Sequence, residues 1–380
     1  MRVLVVSPRM PVAGGKGDQL RGVQFARALA GENVVEVVTT AAGMQVEGAE
    51  EAIRAFAELR VIRPSIPERA LGAVGALARG QPAQVGWMTP GRAWRAVRRR
   101  AEEADVILAM SVRSLRAPLP VPVVLDHVDA FSLNMSRRAT GPEPAPVRWA
   151  ARIEAPLLRR WEARLSHWVA AQLVTSPVDA RHLPRRPEMH VLMNTVDLPA
   201  ASPTASPERD IDVILTGNMA YPPNADAADW LSEAIAPALW RHRPNTSVWV
   251  VGRDAGRLSL DKRVQIQADV PDLAAYLRRA KVALAPLRLG TGTPNKVLEA
   301  IAADTPVVAT PAAVESFGFP TDAVAQATTA EELADEIVRL LDDSDAREDR
   351  VVKARALLSR FDAGLQQEQL AAIVAAAVGP

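Results

Sequence analysis

Short runs of Val, Ile and Leu alternate with amphipathic stretches along most of the chain, and this alternation constrains the fold more than any other feature. Continuous apolar runs suit strands buried on both faces, and the longer amphipathic stretches between them suit helical crossovers. The pattern therefore predicts an α/β protein built on parallel sheets. Strands are expected at 3–6, 34–39, 59–62, 106–109, 121–125, 173–175 and 191–193, then again at 211–215, 248–251, 264–266, 282–285 and 307–309. Between the two sets lies 198–207, a Pro/Ser/Ala segment with no periodicity and nothing to bury, which reads as a linker. The chain has 380 residues, more than one hydrophobic core usually organises, so two domains of similar size are expected, 1–197 and 208–355. After Thr329 the strand pattern stops and three helical patterns follow.

Composition removes several function classes. The net charge is +1, which gives no whole-molecule field to draw the chain onto nucleic acid, so no nucleic-acid partner is expected. With no cysteine, disulfides, thiolate metal ligands and cysteine nucleophiles are excluded. The first apolar run is too short for a signal peptide, and no run reaches the length of a membrane span, so a soluble, cytoplasmic protein is expected.

Helix starts are marked by Ser176 followed by Pro177, and by Thr329 ahead of Glu331 and Glu332. From Trp149 apolar residues recur every fourth position, at Ile153, Leu157, Trp161 and Leu165, with Arg148, Arg152, Arg159, Arg160 and Arg164 elsewhere on the turn. Pro156 predicts a kink or a new start there. The plainer reading is a helix packing an apolar stripe on a sheet, its arginines solvated. The sharper one is a basic face, with Arg92, Arg95, Arg98, Arg99 and Arg100 as a second patch, that meets a lipid-linked or anionic acceptor and gives a peripheral contact at the inner membrane face.

The chemistry concentrates between Ala285 and Ala300. A strand ends at Ala285, a loop holding Gly290, Thr291, Gly292 and Thr293 follows, and a helix starts near Pro294 or Asn295. Free N–H groups at that start make an anion site. Lys296 puts a full positive charge in the first turn, where the helix dipole disfavours it unless a phosphate receives it. Glu299, three residues on, shares its face and offers a carboxylate to a ribose diol. A structural turn followed by a Glu–Lys surface pair accounts for the same residues, and the loop is neither a Walker loop nor a dinucleotide fingerprint. In the first half, Gly14, Gly15, Lys16 and Gly17 separate the first strand from a helix expected at 19–30. They suit either a backbone anion cradle or an ordinary tight turn. His127 lies just past the strand at 121–125, where ligand-facing residues sit, although a lone histidine is more often structural. His167, His182, His190 and His242 show no metal-ligand spacing, and no metal is expected.

Several ordered segments now resemble one family. Thr216 to Asp226, Val250 to Arg253, Asp269 to Asp272, Gly290 to Glu299 and Thr305 to Thr310 are similar to the donor-binding half of the group 1 (family 4) retaining glycosyltransferases. Within these they are most similar to bacterial sugar transferases of exopolysaccharide-type gene clusters. The resemblance implies a GT-B fold: two Rossmann-like domains facing across a cleft, with a C-terminal helix, 356–380, crossing back to the N-terminal domain. It implies a nucleotide-diphosphate-sugar donor as substrate, a hydroxyl-bearing acceptor and no separate cofactor. Carried over residue by residue, Glu299 holds the ribose, while Lys296 with Gly290, Thr291, Gly292 and Thr293 meets the diphosphate and sugar. Gly217, Asn218 and Asn224 line the donor side, Gly252 and Arg253 lie under the donor, and Val270 meets the base. His127 touches the donor sugar, so His127 and Lys296 are the catalytic candidates, and Gly14, Gly15, Lys16 and Gly17 form the acceptor loop. Asn194 to Asp197 resembles the family's hinge, with Thr195 in place of glycine.

Two departures stand out. Thr291 occupies the place of a glutamate near the transferred sugar, and the Arg/Lys pair that follows the equivalent of Gly217 is replaced by Asn218 and Asn224. Lys296 and the helix start are left to carry the diphosphate charge, with Arg253 as a further candidate. Two other functions share these residues: a non-catalytic nucleotide-sugar-binding subunit, and a GT-B nucleotide-sugar epimerase. The epimerase needs acid and base carboxylates beside the sugar, against which Thr291 argues.

Overall fold

The computed structural model describes residues 1–12, 17–40, 48–141, 144–195, 208–288 and 293–379. The chain divides into two compact units, Met1–Asn194 with Gly364–Pro380 and Thr195–Ala363. The proposed linker at 198–207 lies outside the described residues, as do Val196, Asp197, Gly14, Gly15, Lys16, Gly290, Thr291 and Gly292.

The first unit runs β1 (Arg2–Ser7), α1 (Gly17–Ala30), β2 (Val34–Thr39), α2 (Ala49–Arg54), β3 (Glu58–Val61), α3 (Ile66–Leu77), α4 (Ala83–Met88) and α5 (Gly91–Ala101). It continues through β4 (Val106–Met110), β5 (Val123–Asp126), α6 (Phe131–Thr140), α7 (Ala145–Leu165), β6 (Ala171–Val174), α8 (Pro177–His182) and β7 (Met189–Val191). All pairings in the sheet are parallel, in the order β3-β2-β1-β4-β5-β6-β7. β1 is continuously apolar because both faces are covered. Val3 and Val5 share a core with Phe25 and Leu29 of α1, and Leu4 and Val6 share another with Val97 of α5 and Leu158 of α7. Each such side chain contributes about 1.5–3 kcal/mol by leaving water.

The second unit runs β8 (Ile211–Thr216), α9 (Pro222–Trp230), α10 (Ala236–His242), β9 (Val248–Gly252), β10 (Val264–Ala268), α11 (Leu273–Arg279), β11 (Ala280–Ala285) and α12 (Asn295–Ala302). Then come β12 (Val307–Ala309), α13 (Pro311–Val314), β13 (Ala325–Gln326), α14 (Ala330–Asp342) and α15 (Ser344–Ala356). Its sheet has the order β10-β9-β8-β11-β12-β13, again parallel throughout. A π-helical turn at Leu231–Ile235 joins α9 to α10, next to Pro237, whose missing N–H cannot close an α-helical bond. α16 (Ala363–Val378) belongs to the first unit, where Leu370 and Val374 complete the core beneath α1. The return begins at Gly364, later than 356, since Leu358 and Phe361 stay with the second unit and Phe361 packs on Phe317 and Phe319.

Three local expectations need correction. α7 runs unbroken through Pro156, which lies on its exposed side, where water can satisfy the carbonyl that the proline leaves without a donor. Its buried stripe is Ala151, Leu158, Trp161, Glu162 and Leu165, while Trp149 and Ile153 are exposed. A spacing of four drifts by about 40° per step on a 3.6-residue turn, so Trp149 and Trp161 cannot share a face. The seventh strand sits two residues ahead of 191–193, and the two-residue edge strand β13 was too short to show any period.

In both sheets the chain reverses its direction of strand addition beside the first strand, between β1 and β4 and between β8 and β11. The carboxyl ends of parallel strands at such a reversal are where ligands bind in open α/β sheets.

Candidate functional site

At the reversal in the second unit, the strand ends converge on two glycines. Gly252, closing β9, has φ 144°, and a Cβ there would stand 2.1 Å from the carbonyl oxygen of Gly217. Gly217 follows β8 with φ 155°, and a Cβ there would stand 2.8 Å from Asn224 Nδ2 and 3.2 Å from Lys296 Nζ. Neither position has room for a side chain, and both need backbone angles that favour glycine. The gain is close approach: α9 delivers Asn224, α12 delivers Lys296, and Lys296 Nζ donates to Asn224 Oδ1 at 2.7 Å. Asn224 Nδ2 donates to the Asn218 carbonyl at 2.9 Å, and Asn218 Oδ1 accepts from the Ala220 amide at 3.0 Å, so the strand-end loop is braced from within. The Arg253 carbonyl accepts from the Met219 amide at 2.8 Å, which ties the turns after β8 and β9 together. The turn after β10 joins them through the Asp269 amide, which donates to the Gly252 carbonyl at 3.1 Å, and half-buried Val270 follows directly.

α12 begins at Asn295 after Pro294, and no side chain caps its first turn. Its opening N–H groups therefore point toward the segment that joins it to β11. Thr293 Oγ1 is buried there with no hydrogen-bond partner among the described residues. Burial pushes the Lys296 ammonium down to about 8, with Glu299 pulling it back up. Burial likewise raises Glu299 above the usual carboxylate range, with Lys296 opposing. Among the described residues no carboxylate lies within ion-pair distance of Lys296; its hydrogen-bond partner is a neutral amide. Such a cation, partly desolvated and not neutralised, suits an anionic ligand. The structure thus brings together Gly217, Asn218, Asn224, Gly252, Arg253, Val270, Lys296 and Glu299 at one end of one sheet, while the loop residues Gly290, Thr291 and Gly292 lie outside the described set.

The first unit holds a polar cluster at the corresponding edge that sequence reading mostly missed. Arg21 of α1 pairs with Asp126 at the end of β5, Nε to Oδ2 at 2.6 Å, both fully buried. Arg113, after β4, lies 3.6 Å from Asp18 of α1, which also binds Arg9 at 2.8 Å. Burial pushes Arg113 down to about 10, Asp18 acting against it. Burial also holds Asp129 well above the usual carboxylate range, and the carboxylates of Asp179 and Asp18 push it further. Val128, directly before Asp129, takes φ 66°, a strained place for a β-branched residue. The available signal was a polar residue within a few positions of the end of each apolar run, at Arg9, Arg113, Asp129 and Ser176.

His127 belongs to this edge but does not face solvent. It has no accessible surface, and its Nε2 is 2.9 Å from Gln172 Oε1 in β6. Gln172 Nε2 donates to the Pro184 and Pro187 carbonyls, so its Oε1 accepts and His127 carries its proton on Nε2. Burial pushes His127 down to about 4, which keeps it neutral. In this structure the His127 ring is enclosed, and its Nδ1 has no hydrogen-bond partner among the described residues. His127→Ala is expected to cost about 2–4 kcal/mol of stability, through the cavity and the stranded Gln172 oxygen, measurable by denaturant unfolding. Gly17, the one described member of the glycine-rich loop, is the exposed first residue of α1. Among the described residues no three His, Asp or Glu side chains gather to hold a metal ion.

Residues 210–343, within the second unit, match the family model described as Glycosyl transferases group 1. Among solved structures, the chain is similar to HepE of Anabaena, solved with UDP and glucose, at TM-score 0.65 and 17% identity over 99% of each chain. It is similar to sucrose-phosphate synthase of Thermosynechococcus elongatus at TM-score 0.68 and 17% identity, over 98% of this chain and 97% of that one. WaaG, a glycosyltransferase involved in lipopolysaccharide biosynthesis, gives TM-score 0.66 and 17% identity over 98% and 99%. At these identities the likeness shows the fold, which is GT-B with two Rossmann-like domains. No curated protein matches the sequence.

Proposed function

We propose that the protein is a retaining glycosyltransferase that takes a sugar from a nucleotide-diphosphate donor, with a UDP-sugar as the first donor to test, and passes it to a hydroxyl acceptor. The observation that carries this reading is Lys296, a partly desolvated ammonium beside an uncapped helix start at the sheet reversal, bonded to a neutral amide and, among the described residues, to no carboxylate. A diphosphate fits that vacancy of charge, and Glu299 one turn along α12 is placed to receive the ribose hydroxyls. The group 1 match over 210–343 supports the donor class, and HepE, of the same fold, has been solved with UDP and glucose.

In the proposed reaction the bond between the anomeric carbon and the diphosphate oxygen breaks and the acceptor oxygen bonds to the same face. The acceptor proton passes to the leaving phosphate, and no protein nucleophile takes part. Charge grows on the diphosphate as the bond breaks, so Lys296 and the α12 amides stabilise the transition state more than the ground state. Metal independence belongs to this proposal, since Lys296 takes the place of a bridging cation.

A thermal-shift comparison of UDP, GDP and ADP with their nucleosides tests the donor site, because a ligand at 100 times its dissociation constant adds about 2.7 kcal/mol. At least one diphosphate should raise the melting temperature while its nucleoside does not; equal shifts from both would remove the phosphate from the site. Glu299→Gln is expected to weaken nucleotide binding by about tenfold with little change in kcat, because a ribose hydrogen bond changes little during transfer. Steady-state kinetics with the donor varied checks this.

A further inference from the structure

α3 is inside out. Its small residues face the protein: Ala76 is fully buried, and Gly72 meets Gly86 of α4 so closely that a Cβ there would stand 2.3 Å from the Gly86 carbonyl oxygen. Its large apolar residues face outward, with Leu71 75%, Ile66 74%, Val74 63% and Leu77 45% exposed, and Trp87 of α4 beside them 40% exposed. On a helix wheel the outward four, with Ala70, Pro67 and Ala78, span about 140° without a charge. Soluble helices usually bury that stripe, and a contiguous exposed one marks an interaction surface.

The charge beside it says what kind. Between residues 65 and 100 there are seven arginines and one carboxylate, Glu68, a local +6 in a chain of net +1. Glu68 is occupied as the capping-box partner of Ser65 at the start of α3. Pro90, which leads into α5, packs within 3.1 Å of the Cβ position of Gly72, so the basic helix α5 adjoins α3; the Ser65 hydrogen bonds hold Glu68 below its usual range, and Arg92 adds to that effect. Arg92, Arg95 and Arg99 share the exposed side of α5 at i, i+3 and i+7, whereas Arg100 is taken up by Glu36 and Glu103. Among the described residues no helix is long and apolar enough to cross a membrane.

We propose that α3 and α5 dock the first unit onto an anionic phospholipid surface, with Leu71, Val74 and Trp87 entering the headgroup boundary and Arg92 and Arg95 binding lipid phosphates. An apolar arc flanked by arginines, with an amphipathic tryptophan at its edge, matches the layering of an anionic bilayer interface. The arginines suspected from sequence supply only half of this surface; the apolar half is α3.

Co-sedimentation of the full chain with vesicles of phosphatidylcholine alone, or mixed with phosphatidylglycerol, tests the proposal without any sugar donor. The wild-type chain is expected to bind the anionic vesicles at least about tenfold more tightly than the neutral ones, and less tightly as salt is raised. Arg92→Ser with Arg95→Ser should lose about tenfold or more on anionic vesicles, and Leu71→Asp with Val74→Asp should abolish binding. These side chains are exposed, so melting temperatures should stay at the wild-type value, and Val352→Asp, at a 69% exposed apolar residue of α15, should bind as wild type. Equal binding to both vesicle types, or none to either, overturns the proposal. So does a dimer in solution that the Leu71/Val74 variant disperses, which would assign the face to a second copy.

Discussion

Lys296→Met is expected to lower turnover by on the order of 2–4 kcal/mol, roughly 30- to 1000-fold, while making the ligand-free protein more stable. Met keeps the length of the stem and its packing beside Gly217 and removes only the charge. The lost turnover follows from the growth of charge on the leaving diphosphate, which Lys296 meets at the start of α12. The gain in stability follows from linkage. Burial lowers Lys296 to about 8, below its ordinary 10.5. The unfolded chain therefore holds more protons than the folded one between about pH 8 and 10.5, and stability from this group rises across that window. At neutral pH the folded state bears the full cost of the buried charge, and its removal should return on the order of 1–3 kcal/mol. The same shift makes diphosphate affinity in the wild-type chain fall as pH rises past about 8, and this dependence should vanish in Lys296→Met. Kinetics and thermal melts at pH 7 check both effects. Turnover within about twofold of wild type would remove Lys296 from the diphosphate.

Gly252→Ala is expected to be the most damaging small substitution in the second unit. The new Cβ would stand 2.1 Å from the Gly217 carbonyl oxygen and about as close to the rest of that peptide as 3.0 Å, all of it backbone, at φ 144°. No side-chain rotation relieves such a clash, so the β8 and β9 ends must part. Overpacking and backbone strain together should cost about 3–5 kcal/mol, or roughly 10 °C in Tm. Nucleotide affinity should fall with it, because Gly217 holds Asn224 and Lys296 in place. Gly256→Ala is the matched control. Its Cβ would meet only Ala268 Cβ at 3.6 Å, an ordinary contact, and its effect should stay within about 1 kcal/mol. Differential scanning calorimetry of both variants separates a local clash from a general intolerance of added volume.

The fold was legible where burial on both faces forced a continuous apolar run. β1, β4 and β8 are such strands, and their positions follow from composition over a few residues. Elements held by context were not legible. The edge strand β13 has two residues and no period, and α7 carries an apolar row whose drift around the helix hides which members are buried. At the donor side, Lys296 and Glu299 were readable because a helix start behind a glycine loop has a known electrostatic preference. The Lys296–Asn224 contact was not, since it joins residues 72 apart in sequence that only the Gly217 backbone lets meet. The burial of His127 was not legible for a physical reason: the end of a parallel strand is both where ligands bind and where the sheet packs its last buried polar pair. α3 carried no signal that was read from sequence, and it inverts the usual pattern: Gly72 and Ala76 supply the packing face while Leu71 and Val74 lie outside.

Calorimetric titration of uridine diphosphate into the wild-type chain and into Lys296→Met, in buffer containing a metal chelator at pH 7, is the most direct test of the donor site. The expected result is one site per chain in the wild type, and an affinity at least about tenfold lower in Lys296→Met. Equal affinities in the two proteins, or wild-type binding that disappears with the chelator, would contradict a diphosphate held by Lys296 at the start of α12.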